Sequence, residues 1–342
     1  MRDAIPTIDA LDDLLSEPPV PVVESLGRIE GDILVLGVAG KMGPSLARMA
    51  KRASEEAGVR RRVIGVARFG APEDEGRFQE FGVETIRCDL LQPGALEALP
   101  DAPNVVFLAG RKFGSTGDEP RTWAVNALLP GLVARRFRAS RIVALSTGNV
   151  YGLIPQGRGG SREDDPLDPR GEYAMSCVGR ERILSFSSAT LGTPMAILRL
   201  NYAVEMRYGV LVDLARRILD GLPIDLTTGH FNAIWQGDAA AIALRALEHV
   251  AKPPLVLNVT GPEVLSVRDV ADRLGVLLGR QVAFEGMESG EALLSDSGRC
   301  RELFGPPLVP LDRVLRWTAD WLLRGGPTFD KPTHFEVRDG RF

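Results

Sequence analysis

Ile33-Leu34-Val35-Leu36-Gly37-Val38-Ala39-Gly40-Lys41-Met42-Gly43-Pro44 is the stretch that decides the fold. Four consecutive apolar residues read as a strand buried on both faces, the form expected inside a parallel sheet. The pattern from Pro44 to Ala57 reads as a helix, with proline favoured in its first turn. Between strand and helix stand Gly37, Gly40, Lys41, Met42 and Gly43. Glycines there permit a tight turn and let backbone N–H groups approach a diphosphate at the positive end of the helix.

Working outward, strand and helix patterns alternate. Arg62–Ala67, Glu84–Cys88, Asn104–Leu108, Arg141–Leu145 and Pro194–Leu200 read as further strands, with helices around Trp123–Phe137 and after Gly171. This rhythm predicts an α/β fold: a Rossmann-type doubly wound parallel sheet over residues 31–200. After Asn201 the rhythm breaks. Helical patterns at 210–220, 238–251, 266–279 and 310–323, mixed with short strands such as Leu255–Val259, predict a smaller C-terminal substrate lobe over 201–325, interleaved with the first domain. Residues 1–30 read as an appended arm. In it Ile8, Leu11, Leu14 and Leu15 share one helix face and Glu17-Pro18-Pro19 ends the helix, so the arm is expected to cover either the core or a partner subunit. Residues 326–342, rich in Gly, Pro and charge, read as an extended tail.

Composition narrows the function classes. A net charge of −4 and a pI near 5.6 give no general attraction to nucleic acid or to an anionic membrane. Arg is abundant, whereas Lys stands only at 41, 51, 112, 252 and 331. Cys88, Cys177 and Cys300 are scattered, and His230, His249 and His334 lack ligand spacing, so neither a disulfide framework nor a metal site is expected. With no apolar run long enough for a membrane span, a cytoplasmic setting is expected.

The end of the second strand bears on the cofactor. An acid there would accept hydrogen bonds from an adenosine ribose and repel a 2′-phosphate. This chain has Ala67-Arg68-Phe69 instead. Arg68, helped by Lys41, suits a phosphate, so NADP is favoured over NAD.

With these residues in place, the chain resembles the extended short-chain dehydrogenase/reductase family, in its NAD-dependent epimerase/dehydratase branch, over roughly residues 32–325. Gly37, Gly40 and Gly43 match that family's glycine loop. Asp89 and Leu90 match the short motif that meets adenine, and Leu108-Ala109-Gly110-Arg111-Lys112 resembles the segment lining the cofactor. The resemblance implies that Lys112 contacts the pyrophosphate and that Asn126 supports the site. Ser146-Thr147-Gly148-Asn149 resembles the strand end carrying the catalytic hydroxyl, here Thr147. Arg199-Leu200-Asn201-Tyr202 resembles the strand end that touches nicotinamide and sugar, and Ile234-Trp235-Gln236-Gly237-Asp238 a lobe motif near substrate. Cofactor contacts are thereby implied for Gly37, Gly40, Lys41, Met42, Gly43, Arg68, Asp89, Leu90, Ala109, Gly110, Lys112, Asn126, Tyr173, Cys177 and Leu200. Substrate contacts are implied for Thr147, Asn149, Asn201 and Trp235, the last either stacking on a sugar or packing internally. The family also implies a homodimer paired through the helices around Asn126 and Tyr173.

One position departs from the family. Tyr173, the implied proton-transfer residue, is followed four residues later by Cys177 where the family has lysine. A cation about 4 Å from a phenol is worth roughly 4 kcal/mol at an effective dielectric of 20, or about three units on a tyrosine pKa. Cys177 withholds that help. Lys112 is the expected substitute, while Arg180, two helical turns beyond Tyr173, is expected at the surface. Two functions follow: an NAD(P)-dependent oxidoreductase or epimerase acting on a sugar or sugar derivative, or a catalytically silent NAD(P)-binding sensor or scaffold. The lobe segment Leu226–Trp235 holds no arginine to grip a diphosphate. A free sugar or sugar acid is therefore as plausible a substrate as a nucleotide sugar, with Arg207 the one candidate grip.

Overall fold

The computed structural model describes residues 4–70 and 72–341. Residues 1–3 of the expected arm and 342 of the expected tail lie outside them. Seven parallel strands form the central sheet: β1 (Ile33–Leu36), β2 (Val63–Ala67), β3 (Glu84–Arg87), β4 (Asn104–Phe107), β5 (Arg141–Thr147), β6 (Met195–Leu200) and β7 (Leu255–Val259). Their spatial order is β7-β6-β5-β4-β1-β2-β3. Ile33 pairs with Val63 on one side and with Asn104 on the other, so the order reverses between β1 and β4. Ligands of open α/β sheets bind at the carboxyl ends of strands beside such a reversal. All four residues of β1 are buried, as a strand covered on both faces requires.

Helices cover both faces. The chain-order list is α1 (Ile8–Leu15), α2 (Val20–Arg28), α3 (Gly43–Glu56), α4 (Pro72–Glu80), α5 (Glu119–Trp123), α6 (Leu129–Arg136), α7 (Gly171–Leu191), α8 (Val210–Leu219), α9 (Gln236–Arg245), α10 (Val267–Leu278), α11 (Gly298–Phe304) and α12 (Leu311–Leu323). One core joins Val35 and Val106 of the sheet to Leu26, Leu46 and Leu244 of α2, α3 and α9. The opposite core joins Leu34 and Phe107 to Val133 and Leu184 of α6 and α7. A third core, the lobe's own, gathers Leu211, Leu214, Leu274, Leu315 and Trp317 from α8, α10 and α12.

Several expectations are sharpened here. Leu255–Val259, read with the lobe, is the seventh sheet strand and pairs along β6 from Ala196 to Leu200. The expected helix at 238–251 begins at Gln236 and ends at Arg245, and it packs on the sheet rather than in the lobe. The arm covers the chain's own core: Leu11 and Leu15 of α1 are fully buried in the lobe, and a second arm helix, α2, starts right after the expected break. The tail is irregular yet packed, with Thr333 and Phe335 buried. Among the described residues, no helix is long and apolar enough to cross a membrane, and no cluster of candidate metal ligands occurs.

Candidate active site

The glycine turn is shaped by close approach. Gly37 has φ +87°, and a Cβ there would stand 2.6 Å from the Ala109 backbone nitrogen. At Gly43 a Cβ would stand 1.9 Å from the Val38 carbonyl oxygen. A side chain at 37 would collide with the loop after β4, and one at 43 would push the start of α3 away from Val38. Gly40 donates its N–H to the Gly37 carbonyl, and Gly43 donates to Gly40. The turn leaves the first amides of α3 at the carboxyl edge, a cradle that fits a diphosphate. Met42, half-buried, packs on the sheet core.

Lys41 lies beside this cradle, its Nζ 3.0 Å from the centre of the Tyr208 ring and 4.6 Å from that of Phe113. Burial, then the nearby charges of Lys112 and Lys331, pull its pKa down to about 7. Three of the chain's five lysines thus converge on one spot. At the end of β2, Arg68 is exposed, and Phe69 takes φ +46° with both carbonyls held by the Arg87 guanidinium. Asp89 accepts the Leu91 amide at 3.1 Å, fixing the loop in which Leu90 is buried.

Asn126 sits in a single π-helical turn, Ala124–Leu128, between α5 and α6. Such a turn re-aims side chains and recurs at functional sites. Its buried amide uses every group: Oδ1 accepts from the Arg111 amide and from Arg180, while Nδ2 donates to the Arg111 carbonyl and to Ser176. It pins the Ala109-Gly110-Arg111 loop to α7.

At the β5 end, Thr147 pairs with Leu200 of β6. Its hydroxyl donates to Asn149 Oδ1 at 3.0 Å and accepts the Asn149 amide. The Tyr173 phenol, on the first turn of α7, is hydrogen-bonded to Thr147 and to the Cys177 thiol. Burial, with the neighbouring thiol, pushes the phenol pKa well above its ordinary value, while Thr147 and the Arg180 charge pull it back. Cys177 is fully buried among Val150, Tyr151, Leu167 and Leu293, and burial raises its pKa too.

Arg180 corrects an expectation. It is buried, not superficial, and donates to the carbonyls of Asn126, Leu145 and Ala109 as well as to Asn126 Oδ1. These acceptors come from the ends of β4 and β5 and the π turn. Every one of them is a neutral oxygen, and the Arg180 charge lowers the phenol pKa of Tyr173. Lys112, the expected substitute, donates instead to the Thr333 carbonyl in the tail at 2.9 Å.

Other predicted residues stand elsewhere. Trp235 is buried against Trp317, with ring centres 5.6 Å apart, so it packs the lobe rather than stacking on a ligand. Arg207 is buried between Glu205 and Asp12, both at 3.0 Å, and ties α1 to the lobe. Arg199 turns away from the cleft to pair with Glu181 at 2.7 Å and to donate to Tyr151. Asn201 is buried, its Cβ and Cγ against Gly148. Sequence reading missed the network of Ser146, Glu181, Arg199, Tyr151 and Asn258. Its one available signal was Glu181, an acid four residues after Cys177 and so a neighbour of it on α7.

The model for the NAD dependent epimerase/dehydratase family matches residues 33–260. The chain belongs to that family. No curated protein matches it in sequence. Among solved structures, the family member UDP-glucuronic acid 4-epimerase from Bacillus cereus, in complex with UDP-glucuronic acid and NAD, is 22% identical with a TM-score of 0.72. That match covers 86% of this chain and 99% of the other. The dTDP-glucose 4,6-dehydratase of Bacillus anthracis, in complex with NAD, is 16% identical with a TM-score of 0.73, covering 86% and 97%. UDP-glucose 4-epimerase of Thermotoga maritima, with UDP-glucose, is 18% identical with a TM-score of 0.69, covering 86% and 99%. At these identities the likeness establishes the shared fold.

Proposed function

We propose that this family member is an NAD(P)-dependent oxidoreductase or epimerase acting on a sugar or sugar derivative, with an active site that works without the family's lysine. The observation that carries the reading is the hydrogen-bonded Thr147–Tyr173 pair at the carboxyl edge of the sheet, facing a glycine turn that a side chain at 37 or 43 would obstruct. The nicotinamide nucleotide, when bound, supplies hydride acceptance and donation. Gly37, Gly40, Lys41, Met42 and Gly43 would hold its diphosphate, Asp89 and Leu90 its adenine, and Ala109, Gly110, Asn126, Cys177 and Leu200 would line the rest. Arg68, with no acid beside it, supports NADP over NAD; the family description and the neighbours' NAD support NAD, so the preference stays part of the proposal.

Thr147 and Asn149 orient the reacting hydroxyl, and Tyr173 takes or returns its proton through the phenol oxygen. Arg180 supplies the fixed positive charge that favours the phenolate, from below rather than from position 177. Asn201 closes the substrate side. The lobe of 201–325 bounds the cleft, and the free cysteines support a cytoplasmic setting. A second copy would pack on the exposed apolar residues of the π turn, α6 and α7, where Leu128 is 55% and Phe186 69% exposed.

The test is turnover of sugars, sugar acids and nucleotide sugars with NAD(H) and NADP(H), followed by cofactor absorbance. Tight cofactor binding with no turnover across the panel would sink the enzyme reading. One observation favours the rival, a silent cofactor-binding sensor or scaffold: the Tyr173 phenol lies beside a neutral thiol and is pushed well above its ordinary pKa. Cys177→Lys, alone and combined with Arg180→Ala, separates the two, because activity appearing only in these variants assigns the natural chain to binding.

A further inference from the structure

The C-terminal segment after α12 does not project into solvent. Thr333 donates its amide and its hydroxyl to Asp213 of α8, and its carbonyl accepts Lys112 from the loop after β4. Phe335 is buried with its ring 6.3 Å from that of Phe231, which itself meets the ring of Tyr202 at the end of β6. The Glu336 carbonyl accepts the Thr228 hydroxyl. Arg338 donates to the carbonyls of Thr227 and Glu291 and to the Ser289 hydroxyl. The segment therefore crosses from the sheet's carboxyl edge to the lobe, spanning the cleft between them.

Its far end is seated by two glycines. Gly340 has φ +77°, and a Cβ there would lie 2.1 Å from the Arg170 carbonyl oxygen. Gly171 has φ +75°, and a Cβ there would lie 2.2 Å from the Gly340 carbonyl oxygen. The two backbones touch, two residues before Tyr173, in a crossing that no other residue type could make. On the lobe side, Lys331, Phe335 and Glu336 wall a cavity of about 500 Å³ shared with Tyr208, Asp213 and Asp225; neither Thr147 nor Tyr173 lines it.

We infer that the segment Thr328–Arg341 is a fixed wall of the substrate cleft, admitting a ligand of monosaccharide size, such as a free sugar or sugar acid, and excluding nucleoside diphosphate sugars. This rests on the proposed function, since it names the substrate class of the same site. A long ligand with its reacting carbon at Tyr173 must lay the rest of its length across the lobe face, where Thr333, Phe335 and Arg338 are bound. Lys112 from the loop after β4 donates to the Thr333 carbonyl and so tethers the segment at the sheet's edge.

The experiment is calorimetric titration of the full chain with UDP and with UDP-glucuronic acid, beside separate titrations with NAD and NADP. The full chain is expected to bind UDP with a Kd weaker than about 1 mM. Gly340→Val, which breaks the crossing, and Arg338→Ala, which removes three anchors, are expected to bind UDP at least tenfold more tightly, with chymotrypsin then cutting after Phe335, which is buried in the natural chain. Micromolar binding of UDP by the full chain overturns the inference, and so does either variant binding UDP no better than its parent. Failure of the proposed function is visible separately, as loss of any response to NAD and NADP.

Discussion

Arg180→Met removes the charge that the proposed chemistry leans on and nearly preserves side-chain volume. Tyr173 and Arg180 are seven residues apart on α7, so their Cα atoms are about 10.5 Å apart along the axis. Both side chains lean toward the helix N-terminus, so the shared tilt leaves the guanidinium and the phenol at roughly that separation along the axis. At about 10 Å and an effective dielectric of 20, the interaction is worth roughly 1.7 kcal/mol, slightly more than one unit on the phenol pKa. A lysine at 177 would contribute roughly twice that, so Arg180 recovers part of the deficit and no more. The expected result is a loss of about tenfold in kcat at neutral pH, with the acid limb of the kcat profile moved up by about one unit. Arg180→Lys keeps the charge, so it should hold the profile near its parent position while losing stability, because an ammonium cannot serve acceptors spread over three segments. Folding is followed separately by urea denaturation, where both variants lose stability as buried carbonyls are stranded. A kcat profile in Arg180→Met that keeps its parent midpoint would refute the reasoning, whatever the change in stability.

Lys41 is held near pH 7, so at pH 8 it is largely neutral; a diphosphate bound beside it should draw in up to one proton, and should draw in none at pH 5.5. Calorimetry of dinucleotide binding in buffers of different ionisation enthalpy reads this directly, and an enthalpy independent of buffer at pH 8 counts against it. Asp238 is pushed up to about 6 by burial, though the Val309 and Leu308 amides oppose this. The folded chain then keeps that proton to higher pH than the unfolded chain does, so its contribution to stability falls between about pH 4 and pH 6. Asp238→Asn should gain on the natural chain by up to about 3 kcal/mol across that window, measured by denaturant midpoints; a constant difference would contradict the shift. Leu128→Glu and Phe186→Glu should each turn a dimer into a monomer in sedimentation at micromolar concentration, and a natural chain already monomeric there removes the proposed pairing.

How much of this was legible in the sequence depends on how local the constraint is. Gly37 and Gly43 are dictated by contacts with Ala109 and Val38, and a strand–turn–helix pattern announces that geometry. The order of seven strands was less accessible, since Leu255–Val259 is apolar enough for any sheet and only its pairing with β6 assigns it. Arg180 could not be placed from spacing alone. Its burial requires carbonyls from Leu145, Ala109 and Asn126 to meet at one point, and the last is aimed by a π turn that no residue pattern encodes. Trp235 reads as platform or, with more weight, as core; Trp317, eighty-two positions away, decides it. The tail's Gly, Pro and charge suggested solvent, yet its anchors are Lys112, Asp213 and Gly171, each distant in sequence.

On the proposed reading, the lysine that the resemblance implies at position 177 is better understood as a charge that has moved than as a charge that has been lost. Position 177 is closed by Val150, Tyr151, Leu167 and Leu293, a pocket that suits a small neutral thiol. An ammonium placed there would arrive beside a guanidinium that already holds the nearest carbonyls, and a second buried cation with no acceptor of its own is costly. One turn further along α7, the Glu181–Arg199 ion pair, sealed by Ser146 and Tyr151, fixes the helix against β5 and β6 and leaves little room for relaxation. Cys177→Lys alone thus tests two things together, the gain of a charge and the clash of two. Combined with Arg180→Ala it tests one. If the double variant outperforms Cys177→Lys, the two cations clash over a single role; if the effects simply add, each charge acts on the phenol of Tyr173 independently of the other.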